Sequence, residues 1–306
     1  MRQDLLPLVI AAIVAWLVIG TLGLARPRHL PFISRVLFPA GSAVALALAI
    51  VALFAMSSPP QAMVLPLGLP DLPFHLRLDS LSAFFLLLLG AAATAITLFS
   101  AGYFRSGEGT PPGLVCFQYH GFLAAMAMVL IADDAYAFMV AWESMALASF
   151  FLVTAEHRIP EIRRAGFLYL LIAHIGAIAI LLCFGVLQGG SGDYTFTSMR
   201  AQILDGAWPS IAFFLALFGF GAKAGLLPLH IWLPEAHPAA PSPVSAMMSG
   251  SCAATACLQN EWLNGVSRLD CHGSESPTAL LKNCRSASTI DTRATGVLKI
   301  RVARRV

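Results

Sequence analysis

Two ionisable residues lie where apolar sequence surrounds them. Glu143 sits within AFMVAWESMALASFFLV and Lys223 within IAFFLALFGFGAKAGLLPLH. Lys223 is the only lysine in the first 250 residues, where every other permanent positive charge is an arginine. Glu143 falls ten residues past Asp133, about 15 Å along a helix, which sets it near mid-membrane. A lone carboxylate or ammonium at that depth costs about 2.5–3.5 kcal/mol on insertion scales unless it is paired or hydrated. Burial disfavours both charged forms and mutual pairing favours them, so a Glu143–Lys223 pair could exchange a proton when its surroundings change. A purely structural salt bridge is the competing reading.

Histidines add to the set. His174 lies inside FLYLLIAHIGAIAILL and His120 inside FQYHGFLAAMAM. Either could relay a proton or hydrogen-bond a neighbouring helix as a neutral ring. Beyond Lys223 the chain reads LLPLHIWLPEAHPAAPSP, with Pro228, Pro234, Pro238, Pro241 and Pro243 around His230 and His237. Glu235 completes an H-x-x-x-x-E-x-H spacing, which does not put two ligands one helical turn apart, so no metal site is expected. A charged helix that breaks is the pattern of irregular backbone beside a wet cavity, and His230 and His237 become possible relay residues lining it. No phosphate-binding glycine loop, nucleophile triad or dinucleotide fingerprint occurs.

These groups need apolar helices to hold them. Span-length apolar runs recur at Leu5–Ala25, Phe32–Met56, Leu81–Tyr103, Leu114–Ala132, Ala135–Ala155, Ala165–Leu187 and Pro209–Leu227, each long enough to cross about 30 Å of hydrocarbon. The predicted fold is therefore all-α: a polytopic transmembrane bundle of about seven helices with a broken seventh. Composition agrees, with 58% hydrophobic and 11% charged residues and a mean hydropathy of +0.77. A soluble domain carries nearer a quarter charged residues. No basic block with interleaved aromatics points to nucleic acid. The first apolar run is long enough to span and has no small-x-small cleavage site. Cys116 and Cys183 lie singly in apolar runs, and no C-x-x-C occurs, so no zinc or iron–sulfur ligand set is expected.

Arginine placement predicts orientation. Arg26, Arg28, Arg35, Arg105, Arg158, Arg163 and Arg164 fall on one set of connections, against Arg2, Arg77 and Arg200 on the other. The positive-inside rule puts the N-terminus outside. After Gly250 the character changes. Residues 251–306 hold eight Lys/Arg, four Asp/Glu and four Cys, with no span-length apolar run. We expect residues 1–250 to form the membrane region and 251–306 a polar, basic, disordered or frameshift-derived tail.

Three stretches are similar to a known family: LFSAGYF at 98–104, AWESMALASFFLV at 141–153, and GAKAGLLPLHIWLPEAHPAAPSPVSAMMSG at 221–250. They resemble the antiporter-like proton-channel family, which includes the large membrane subunits of respiratory complex I and the Mrp-type sodium/proton antiporters. The wording HIWLPEAHPAAPSPVSA resembles the hydrogenase-4 and formate-hydrogenlyase branch. The resemblance implies about fourteen transmembrane helices in two inverted repeats, each a proton half-channel. It carries the essential glutamate of the fifth helix onto Glu143 and the essential lysine of the broken seventh helix onto Lys223. It further implies a bacterial-type inner membrane, partner membrane and peripheral subunits of a hydrogenase or complex-I-like assembly, and no cofactor in this chain. Where relatives continue into an eighth apolar helix, this chain reads SCAATACLQNEW. We therefore expect an incomplete copy, truncated before the second repeat. The implied function is proton or sodium translocation coupled to an oxidoreductase. The alternatives are a Mrp-type or NADH-quinone subunit and a non-catalytic membrane scaffold.

Overall fold

The computed structural model describes residues 4–69, 72–104, 110–226 and 228–249. The segment 251–306 and Arg105 lie outside them. Seven helices among the described residues are long and apolar enough to cross a membrane. They are α1 (Leu6–Ala25), α2 (Leu30–Ala55), α3 (Ser80–Tyr103), α4 (Pro112–Ile131), α5 (Ala135–Val153), α6 (Pro160–Leu187) and the interrupted span Trp208–Ala239, which opens with α7 (Trp208–Ala224). Large apolar side chains such as Leu46, Phe99, Ile178 and Phe214 stay exposed on their flanks, as expected of surface that meets lipid rather than water. The protein is a multi-pass membrane bundle.

Most boundaries follow local chemistry. Proline opens α1, α4 and α6 within their first two positions, where the missing N–H would have no intrahelical partner. That extends α6 back to Pro160 and brings Glu161, Arg163 and Arg164, read from sequence as loop, into its first turns. In α2 the residues Ile33–Leu37 form a π turn, with the Phe38 N–H donating to Ile33 O. Pro39 cannot donate to the carbonyl four residues back, and the ladder widens just before it.

The connection between α2 and α3 folds as a hairpin, which the search for apolar spans did not anticipate. Strands β1 (Gln61–Leu69) and β2 (Leu72–Leu78) pair antiparallel, with Gln61 opposite Leu78 and Leu69 opposite Leu72. A bulge between Leu65 and Gly68 uses the positive φ of Gly68 (+113°), a conformation that suits glycine.

The hairpin side of the bundle is tied together by side-chain caps. Gln61 Oε1 accepts from the N–H groups of Leu5 and Leu6 at 2.9 Å, ending α1 on β1. Asp79 caps α3 through the Ser82 N–H at 2.9 Å. Within the bundle α1 packs on α4, α2 on α3, α5 on α4 and α6, and α6 on α7. Trp16, Phe38, Tyr119 and Phe122 fill the first group; Tyr169, Phe184 and Trp232 fill the second. Helices α6 and α7 meet at Gly176 and Gly219, where a Cβ on Gly219 would lie 2.7 Å from Gly176 O. This near backbone contact is typical of small residues in membrane interfaces.

Candidate proton-handling site

Helix α7 stops where the chain can no longer continue it. Gly225 adopts a left-handed φ of +73° and the Leu226 N–H returns to Gly221 O at 2.9 Å, a glycine C-cap. The freed carbonyl of Ala222 accepts from the indole Nε1–H of Trp232 at 2.8 Å. The chain resumes as a 3₁₀ turn, Leu229–Trp232, then helix α8 (Leu233–Ala239), with residues 242–249 helical again. A broken helix deep in a membrane needs its loose backbone groups satisfied by protein. Trp232 satisfies one.

Lys223 occupies the last turn of α7 and is 7% exposed. Its Nζ donates to the Tyr169 hydroxyl of α6 at 2.9 Å. The ring centroids of Tyr169 and Trp142 lie 5.3 and 5.8 Å from it, within the range of a cation–π contact. Tyr169 also touches Ser149 of α5, hydroxyl to hydroxyl, at 2.5 Å. The Trp232 ring packs edge-on against Tyr169, and His237 stacks on Trp232 while its Nδ1 meets Ser245 Oγ at 2.9 Å.

The Glu143 carboxylate meets His174 rather than Lys223, the partner that the two charges suggest in sequence. Its Oε2 stands 3.5 Å from His174 Nε2, with the side chains 33% and 46% exposed. His174 Nδ1 lies 3.0 Å from Leu170 O. A carbonyl only accepts, so Nδ1 carries a hydrogen and Nε2 is the atom that faces the carboxylate.

The remaining histidines are placed differently. His230 lies on the 3₁₀ turn, and its buried Nδ1 has no hydrogen-bond partner among the described residues. His120 is fully buried in α4. Its Nδ1 donates to Cys116 O at 2.9 Å, and its Nε2 occupies the space that a side chain at Gly41 would fill. It packs α4 against α2, with its ring beside Phe38 and Gly41. Tyr169, Ser149, Trp142 and Trp232 went unrecognised as site residues in the sequence. The available signal was the hydroxyls themselves, since Tyr169 and Ser149 interrupt two apolar runs at buried positions.

The N-terminal end of α5 is anchored at the hairpin. Asp134, 3% exposed, accepts from the Ala137 N–H and the His75 N–H, both at 2.6 Å, and its Oδ2 lies 3.4 Å from His75 Nδ1. The flanking backbone is equally committed: Asp133 N–H to His75 O, Ala135 N–H to Tyr194 O, Phe196 N–H to Asp133 O. A cavity of about 80 Å³ lies beside it, lined in part by Pro73, His75, Asp134, Asp193 and Thr195. Burial raises the Asp133 carboxyl above the usual carboxylate range, against the pull of Arg77 and Arg200. The Thr195 N–H, 2.9 Å from Asp193 Oδ1, holds that carboxyl below it.

Residues 132–260 match the family described as NADH:quinone oxidoreductase/Mrp antiporter, transmembrane. Hydrogenase-4 component B of Escherichia coli is 45% identical over 175 residues, covering 57% of this chain and 26% of that protein. Among solved structures, the membrane-bound sulfane sulfur reductase, an archaeal respiratory membrane complex, superposes with a TM-score of 0.71 at 22% identity, over 86% of this chain and 41% of its own. The Mrp complex from a Dietzia species gives 0.69 at 22%, over 85% and 29%. At that identity the two structures share the fold. The chain spans between a quarter and about two-fifths of the length of these relatives.

Proposed function

We propose that this chain, whose residues 132–260 belong to the NADH:quinone oxidoreductase/Mrp antiporter family, is part of a membrane subunit that translocates protons within a hydrogenase-4 or formate-hydrogenlyase type assembly. The observation that carries this reading is Lys223. A cation inside an apolar helix is costly, and here it is 7% exposed, seated on a tyrosine hydroxyl and two aromatic faces beside a helix break. Glu143 and His174 supply a second proton-holding pair on the neighbouring helices. His230 and His237, around the break, are the relay groups that would join the lysine to water. Electron transfer belongs to other subunits, and this chain contributes ion movement. Identity to a hydrogenase-4 component over 57% of the chain supports that partner class. The likeness to a Mrp complex supports a second reading, a cation/proton antiporter subunit. The arginine distribution supports an external N-terminus, which puts the hairpin outside as well.

The test is proton uptake in vesicles containing the assembled complex. Glu143→Gln and Lys223→Ala are each expected to abolish uptake while the complex still assembles. Normal uptake in either variant would sink the role given to that residue. Uptake that persists in sodium-free buffer favours the proton, and strict sodium dependence favours the antiporter reading.

A further inference from the structure

The contacts of Lys223 form a chain with a direction. Ser149 Oγ lies 2.8 Å from Met145 O and 2.9 Å from Ala146 O. Carbonyls only accept, so the serine hydrogen is committed to its own helix and its lone pairs face Tyr169. Across the 2.5 Å contact the tyrosine must therefore donate, which leaves the phenolic oxygen to accept the Lys223 N–H at 2.9 Å. Each oxygen in the series turns its negative end toward the ammonium. Tyr169 and Ser149 are each 1% exposed, so water does not compete for these positions. Hydrogen bonds aligned in this way polarise one another inside a low-dielectric interior.

We propose that Tyr169 and Ser149 are positioning residues for Lys223, a hydroxyl chain of fixed polarity that ties the ammonium of α7 through α6 to the backbone of α5. It rests on the reading of Lys223 as the proton-handling cation. Its mechanical meaning is specific. Helix α5 carries Glu143 and helix α7 carries Lys223, and the hydroxyl chain lets a shift of α5 reach the lysine without the two charges touching. The tyrosine ring has a packing role of its own against Trp232, so the hydroxyl must be tested apart from the ring. Tyr169→Phe does this, because it keeps the ring and removes only the oxygen.

The experiment uses the full chain in lipid nanodiscs, labelled with nitrogen-15 at lysine Nζ. The sequence has three lysines, Lys223, Lys282 and Lys299, and Lys223→Arg assigns the signal of interest by its loss. Tyr169→Phe is expected to move the Lys223 signal and to speed exchange of its ammonium hydrogens about tenfold or more, the scale of one lost hydrogen bond to a charged group. Ser149→Ala should shift it the same way by less, and the double variant should equal Tyr169→Phe alone, since serine acts only through tyrosine. A Lys223 signal unmoved by Tyr169→Phe overturns the proposal. So does a serine effect that survives undiminished without the tyrosine hydroxyl. Proton uptake by the assembled complex separates this idea from the reading beneath it. Uptake lost in Lys223→Ala but full in Tyr169→Phe defeats the positioning role and leaves the lysine role standing. Uptake retained in Lys223→Ala defeats the lysine role, and the nanodisc signals still decide the positioning.

Discussion

Removing the Asp134 carboxylate should cost more than removing any ordinary helix cap. In Asp134→Ala two donors lose their acceptor together: the Ala137 N–H, in the first turn of α5, and the His75 N–H, in β2, each 2.6 Å away now. Loss of an N-cap carboxylate costs about 1 kcal/mol, within a range of about 0.5–2. The His75 N–H is only half-buried, so its lost bond adds about 0.5–1.5 kcal/mol, the net worth of an ordinary hydrogen bond. The sum is about 1.5–2.5 kcal/mol, with nothing credited to the imidazole itself. Asp79→Ala supplies the internal comparison. That residue caps α3 through one N–H, and its side chain is 33% exposed, so only the cap value of about 1 kcal/mol is expected. Denaturant unfolding of the detergent-solubilised chain, followed by tryptophan fluorescence, gives both differences. Hydrogen exchange at the hairpin amides should accelerate in Asp134→Ala alone. If the two variants lose equal stability, or Asp134→Ala stays within about 0.5 kcal/mol of the parent, the aspartate does not join α5 to the hairpin as described.

Three further expectations follow from named contacts. Trp232→Phe keeps the ring against Tyr169 but leaves Ala222 O without its donor; a loss of about 1–3 kcal/mol in unfolding stability is expected, and proteolysis should begin in the break after Gly225. Gly219→Leu forces side-chain atoms into space where even a Cβ would lie 2.6 Å from Ile180 Cγ1, so α6 and α7 must separate. A cysteine pair placed across the two helices should then crosslink more slowly, and unchanged crosslinking would argue against their close approach. For Asp133 the sign follows from burial, which raises the carboxyl above its ordinary 3.8. The folded protein then holds that proton to higher pH than the unfolded chain does. Its contribution is fully favourable below the unfolded value and is lost as pH rises through the folded one. Asp133→Asn, which cannot ionise, should be at least as stable as the parent at neutral pH and should lose that advantage on acidification toward pH 4. A stability difference that instead grows on acidification would contradict the raised carboxyl.

The spans were legible because length and hydropathy suffice to mark a membrane helix, and the seven helices fall where the apolar runs lie. The hairpin was legible too, in a different period. Leu72, Phe74, Leu76 and Leu78 alternate with Pro73, His75 and Arg77, a two-residue repeat that a search for apolar spans passes over. At the site, sequence singled out the charges and missed what holds them. Glu143 and Lys223 stand out because ions are rare in apolar runs. Tyr169 and Trp232 do not, since aromatic residues in such runs usually do no more than pack. The pairing of Glu143 with His174 depends on how α5 and α6 rotate against each other. Side-chain spacing along each helix leaves that rotation undetermined.

The Asp134 junction has a geometric consequence for the whole site. Backbone and side-chain bonds from β2, α5 and the strand-like segment before Phe196 converge there, and this end of α5 is a fulcrum. At 1.5 Å per residue, Glu143 lies about 14 Å along the lever and Ser149 about 22 Å. Any swing of α5 about that point would carry Ser149 further than Glu143, by the ratio of the two arms. The far end of the lever is where Ser149 meets the tyrosine and, through it, the lysine, so a joint made at the hairpin sets how far the hydroxyl chain travels.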